Sequence, residues 1–306
     1  MRWRRPGKSG DVIDVRGGGG GGFGGGGFGR GGGGLPGGRM AIPGGLGIAG
    51  VVVFLLITLL SGGGGGEAAF GVDNQFGQTP QAPDSAAIPA AQDPERDLKD
   101  FSSFVFTRVQ DTWADTFRRA GEPYERSQLV LYRGGVNTGC GSASSAVGPF
   151  YCPADQRVYV DLSFYSDMAQ QLGASGDFAW AYVIAHEVGH HVQNQLGTST
   201  EVRRLQQQDP GDANRLSVRL ELQADCYAGV WAHTVYEAGD LEEGDVEEAI
   251  GASEAVGDDR LQRRVPGGID PDSFTHGTSE QRARWFNTGR ERGEPGACDT
   301  FSVEEV

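Results

Sequence analysis

Apolar residues recur at helical spacing in several stretches of this chain and alternate over short runs in two others. Leu98, Phe101, Val105, Val109, Trp113 and Phe117 follow one another at three or four residues. Pro94–Ala120 therefore reads as an amphipathic helix, with Pro94 in its first turn and Gly121 just past its end. Asp177–Leu196 reads as a second helix, with Asp177 as N-cap and Gly197 as stop. Its opening, Phe178 to Ala185, is apolar nearly all round, which marks a core helix. A third helix is expected from about Asn214 to Tyr236, and a short one in Ser163–Gly173. Gln128–Tyr132 and Arg157–Leu162 are β-branched or aromatic runs bounded by turn residues and read as strands. Gly134–Gly141 and Gly148–Pro153 read as loops between them. The expected class is α+β, mainly helical with a small β-sheet, in one domain over residues 94–306.

A different pattern precedes this domain. Ile42–Leu60 carries no charge and is long enough to span a hydrocarbon core as one transmembrane helix. A cleaved signal peptide is the alternative, but 41 residues precede the stretch and no small-residue cleavage site directly follows Leu60. Arg2, Arg4, Arg5, Lys8, Arg16, Arg30 and Arg39 stand before the stretch against Asp11 and Asp14 alone. The positive-inside rule then leaves the N-terminus in the cytoplasm and exports the rest. Half of the 52 glycines fall in residues 17–66. Residues 1–41 are accordingly expected as a disordered Gly-rich cytoplasmic tail and 61–93 as a flexible linker. Residues 67–306 hold 19 basic against 39 acidic side chains, a balance that argues against nucleic acid as a partner.

Chemistry enters with His186-Glu187-Val188-Gly189-His190. Residues four apart on a helix share a face, so His186 and His190 can aim imidazoles at one metal ion, and Glu187 flanks it. Neutral imidazole suits zinc, and the carboxylate stays free to move the proton of an activated water. His191 lies about 100° round the helix from His190 and is expected either to be structural or to support the ligands from behind. A catalytic zinc commonly has three protein ligands. Glu221, 31 residues after His190 on the third helix, is the candidate. Asp225, one turn on, would accept the free N–H of a ligating histidine. His276, in a Gly-containing loop, is the candidate for stabilising an oxyanion, with Tyr227 and His233 as alternatives. Strand Arg157–Leu162 is the candidate exposed edge for an extended substrate. The four cysteines admit three pairings or four buried thiols. Cys140 with Cys152 would staple the loop between the strands, and Cys226 with Cys298 would tie down the C-terminal tail.

Taken together, these residues carry a family resemblance. His186-Glu187-Val188-Gly189-His190-His191 followed by Glu221-Leu222-Gln223-Ala224-Asp225-Cys226 resembles the bacterial predicted neutral zinc metallopeptidase family and the wider gluzincin class. Gly139-Cys140-Gly141, Gly148–Pro153, Val158–Leu162, His276–Arg282 and Trp285-Phe286 extend it over roughly residues 95–300. The resemblance implies a zincin-like fold, Zn2+ held by His186, His190 and Glu221, and Glu187 as catalytic base. The function expected is a membrane-anchored zinc endopeptidase acting on protein or peptide substrates. A zinc hydrolase of a non-peptide amide and a non-catalytic zinc-stabilised peptide-binding domain are the alternatives.

Overall fold

The computed structural model describes residues 1–5, 9–17, 88–264 and 268–306. In chain order these form β1 (Val12–Asp14), α1 (Arg96–Ala120), β2 (Gln128–Tyr132), β3 (Gly135–Thr138), β4 (Gly141–Ser144), β5 (Phe150–Cys152) and β6 (Arg157–Asp161). There follow α2 (Phe164–Asp167), α3 (Asp177–Gln195), α4 (Thr198–Gln208), α5 (Ala213–Glu237), α6 (Asp245–Ala255), α7 (Asp258–Gln262) and α8 (Ser279–Arg292). A four-stranded sheet has the order β1-β2-β6-β5, and β3 and β4 make a separate hairpin. Strands β1, β2 and β6 run parallel, while β5 is antiparallel to β6.

Side-chain alternation decides which sheet face meets the helices. Leu129 and Leu131 of β2 and Val158 and Val160 of β6 join the main core, with Phe101, Val105, Trp113, Phe178, Trp180 and Ile184. Val130, Tyr132 and Tyr159 turn to the other face and pack with Cys152. Helix α1 buries the expected stripe and stops at Gly121, whose φ of 78° lets its N–H return to the carbonyls of Arg118 and Phe117.

Helix spacing in the core is set by absent side chains. A Cβ on Gly229 of α5 would lie 2.1 Å from the Phe286 carbonyl oxygen, and one on Gly289 of α8 would lie 1.9 Å from that of Cys226. Backbones therefore touch where α5 crosses α8. Gly189 of α3, between the two motif histidines, would meet Ala224 of α5 at 3.0 Å. That close approach brings the His-Glu-x-x-His turn against the turn carrying Glu221.

Several expectations change. Arg157–Leu162 is not an exposed edge: β6 lies between β2 and β5, and the edges are β1 and β5, the latter in a stretch read as loop. Asp177 is the first helical residue of α3, not its N-cap, which is Gly176. Residues 1–41 were expected to be disordered, yet Val12–Asp14 adds a strand to the sheet and Met1 is buried in the core. The proposed transmembrane stretch 42–60 lies outside the described residues. So do residues 61–87 of the proposed linker. Among the described residues, no helix is long and apolar enough to cross a membrane. Both disulfides, Cys140–Cys152 and Cys226–Cys298, are formed.

Candidate metal centre and active site

His186 and His190 stand one turn apart on α3, with their Nε2 atoms 3.1 Å from each other. Glu221 reaches across from α5, its Oε2 3.2 Å from His186 Nε2 and its Oε1 3.4 Å from His190 Nε2. Nitrogen and oxygen ligands at zinc's bond length of about 2.0–2.1 Å sit roughly 3.3 Å apart along the edges of a tetrahedron. The two imidazoles and the carboxylate, one carboxylate oxygen toward each ring, stand at separations close to that value.

Proton positions follow from the outer hydrogen bonds. His186 Nδ1–H donates to Asp225 Oδ1 at 2.8 Å, and His190 Nδ1–H donates to Gln193 Oε1 at 2.9 Å. The Nε2 of each ring is thereby turned toward Glu221. Burial lowers the His186 pKa, but Asp225 and Glu221 outweigh it and raise it to about 10, so the space between the three groups draws in positive charge, whether a proton or a metal ion, and these residues fit zinc.

Asp225 is the hub behind this set. It is wholly buried and accepts from His186, from the Tyr182 hydroxyl at 2.5 Å, and from Arg282 Nε and Nη2 at 2.8 and 2.9 Å. Burial alone would raise its pKa, but Arg282 and His186 outweigh that and hold it low. Burial likewise opposes ionisation of Glu221, which the neighbouring histidines keep well below the ordinary range. Arg282, Tyr182 and Gln193 were not recognised from sequence as parts of the site. Arg282 lies in a stretch quoted for the family resemblance, and the other two sit on α3 like ordinary core or helix residues.

Glu187 is buried beside the donors. Burial raises its pKa, and the two histidines offset part of the rise. His276 comes from the loop before α8. Its Nδ1 lies 3.0 Å from Asp258 Oδ1, while Asp258 Oδ2 accepts the backbone N–H groups of Thr275, His276 and Gly277. The ring is thereby fixed, and its Nε2 is buried with no partner among the described residues.

His186, Glu187, His190, Glu221, His276 and Arg282 all line one cavity of about 260 Å³. Most of its remaining wall is apolar, formed by Val147, Phe150, Phe164, Leu172, Val202 and Val256 among others. The other sequence candidates lie elsewhere. Tyr227 packs edge-on against Trp113, and His233 donates from Nδ1 to the Arg290 carbonyl. His191 faces away from the donors, giving Nε2–H to the Glu125 carbonyl and taking Tyr151's hydroxyl proton at Nδ1. A second acidic group, Asp177, Asp245 and Glu248, is no free cation site, because the Met1 amino group sits on two of its members.

A buried triad of two imidazoles and a carboxylate, with a further carboxylate on the same helical turn, is the arrangement used by zinc hydrolases. The chain belongs to the family described as "putative neutral zinc metallopeptidase", whose family model matches residues 1–301, and zinc is the metal this implies. It is 47% identical over 303 residues to the uncharacterized protein YpfJ of Escherichia coli strain K12, covering 98% of this chain and 99% of that one. It is also 47% identical over 194 residues to the uncharacterized protein Rv2575 of Mycobacterium tuberculosis strain H37Rv, covering 60% of this chain and 65% of the relative. No solved structure matches. The family match begins at residue 1, well before the stretch from which the resemblance was read.

Proposed function

We propose that this protein is a zinc-dependent endopeptidase in which His186, His190 and Glu221 hold the metal and Glu187 is the general base. The observation that carries the reading is the convergence of His186, His190 and the Glu221 carboxylate at separations of 3.1–3.4 Å, one carboxylate oxygen toward each ring, with Glu187 on the same turn. Zinc, when bound there, supplies a Lewis acid for the peptide carbonyl and an acidified water. The remaining work falls to side chains. Glu187 removes the nucleophile's proton and delivers it to the leaving amine; its burial raises its pKa toward the range in which a base also makes a serviceable acid.

His276, held by Asp258, serves the carbonyl oxygen as charge grows there, donating from Nε2 when the ring carries both protons. Asp225, fixed by Arg282, keeps His186 in the tautomer that leaves Nε2 bare. Edge strand β5 lines the cavity through Phe150 and Tyr151 and is the segment placed to pair with an extended substrate backbone. The apolar wall favours a large apolar side chain beside the scissile bond. Glu187 also argues against a purely structural zinc site, which needs no base and fills all four positions with protein ligands. Two disulfides support an oxidising compartment for the domain.

The test is cleavage of an unbiased peptide library by the wild type beside Glu187→Gln, with zinc content measured in both. The proposal expects equal zinc and loss of peptide-bond hydrolysis in the variant. Equal cleavage by both proteins would remove Glu187 as base, and absence of peptide cleavage by the zinc-loaded wild type would leave the non-peptide or binding-domain readings.

A further inference from the structure

The N-terminal residues were expected on the opposite side of a membrane from the catalytic domain. Their contacts say otherwise. Strand β1 pairs in register with β2, Val12 opposite Leu129 and Asp14 opposite Leu131. The Leu129 N–H donates to the Asp11 carbonyl and the Val15 N–H to that of Leu131. Trp3 packs edge-on against Phe101 of α1 at 5.3 Å between ring centroids. The Met1 amino group contacts Asp177, the first residue of α3, at 2.8 Å and Asp245 at 3.1 Å.

Arg16 makes the most restrictive contact. Its guanidinium is fully buried and pairs with Asp14 at 2.7 Å, with Glu95 at 3.0 Å and with Asp93, equally buried, at 2.6 Å. Lys99 of α1 reaches the same Asp93 at 3.2 Å. Arg16 and Asp93 stand on either side of residues 18–87 in the sequence and meet in one ion pair. A single crossing by residues 42–60 would put a hydrocarbon layer of about 30 Å between those two charges. A bond of 2.6 Å and a gap of that size exclude one another.

We infer that residues 1–5 and 9–17 are an integral part of the metallopeptidase body, and that Gly17 and Ile88 therefore lie on the same side of any membrane. The Met1 amino group also touches Asp177 at the start of α3, the helix that bears His186, Glu187 and His190. The family match from residue 1 agrees with a segment that belongs to the domain.

Two measurements on the full chain test this. Ser9 and Thr107 hydroxyl oxygens lie 3.3 Å apart, so Ser9→Cys with Thr107→Cys should cross-link in intact cells. With a specific protease site inserted at residue 30, the N-terminal fragment should stay attached on a non-reducing gel and be released by reductant. Loss of that attachment in cells, with either single-cysteine variant as control, would overturn the inference. Independently, Arg16→Met and Asp93→Asn should each lower Tm, and the double variant should lower it by clearly less than the two shifts added. Additive shifts would likewise overturn it, since residues on opposite sides of a membrane have no contact to lose twice.

Discussion

Two regions of this molecule are built around buried charge, and they leave that charge in different states. At the junction of residues 1–17 with α1, Arg16 is surrounded by Asp14, Asp93 and Glu95, and Lys99 completes the set. Between α3 and α5, Asp225 and Arg282 saturate one another, but the atoms in front of them do not. Two imidazole Nε2 atoms and the Glu221 carboxylate face each other, and His276 Nε2 has no partner among the described residues. A closed network of charges holds elements in place. An open one, with its rear locked by a closed one, has capacity left for a cation and a substrate.

The contrast can be tested by removing charge from each part of the centre in turn. Glu187→Gln has the largest expected effect, a fall in kcat of about 10²–10⁴-fold at unchanged zinc content. A variant that lost zinc as well would place Glu187 among the ligands. His276→Ala should lower kcat by about 10²-fold, again with zinc retained, because His276 lines the same cavity but is not one of the three converging metal donors. An increase in KM alone would reassign it to substrate binding.

Asp225→Asn should weaken zinc binding by about 10–100-fold, read by competition with a chelating dye. It should also destabilise the fold by about 3–5 kcal/mol, because Arg282 is left buried without its carboxylate. Unchanged zinc affinity would show that Gly189 and Ala224 alone set the geometry. The sign of the acid response follows from the same pair. Asp225 has its folded pKa depressed, so its contribution is complete above the unfolded value of about 3.9 and is lost as pH falls through the folded value. Thermal denaturation between neutral pH and pH 3 should show a steeper loss in wild type than in Asp225→Asn. The smallest effect is expected at the excluded candidate: His233→Gln should leave peptide cleavage unaltered, since that ring caps a carbonyl of α8 away from the cavity.

Legibility of the site tracked the range of the interactions that make it. His186, Glu187 and His190 lie within one helical turn, and the rise of the helix alone brings them together. Glu221 and Asp225 could be read for the same reason, as a pair one turn apart on a second helix. Both cysteine pairings formed as expected. Strand β5 was missed because Phe150-Tyr151-Cys152 is three residues long between Gly148-Pro149 and Pro153, which signal turns. Its place at the sheet edge, in front of β6, depends on pairing across the chain. β1 was missed in the same way, as three residues set among glycines and basic side chains.

Local chemistry thus marked helices α1, α3 and α5 and the candidates for metal ligands and base, because periodicity and residue type act over a few positions. Long-range packing decided the rest. It set Gly189 on Ala224 so that Glu221 meets the two histidines, and it brought Arg282 from α8 to hold Asp225. It also tied Arg16 to Asp93 over 76 intervening residues. Contacts of that kind come from surfaces that exist only after the chain has folded, and neither partner of such a pair carries a mark of the other in its own neighbourhood.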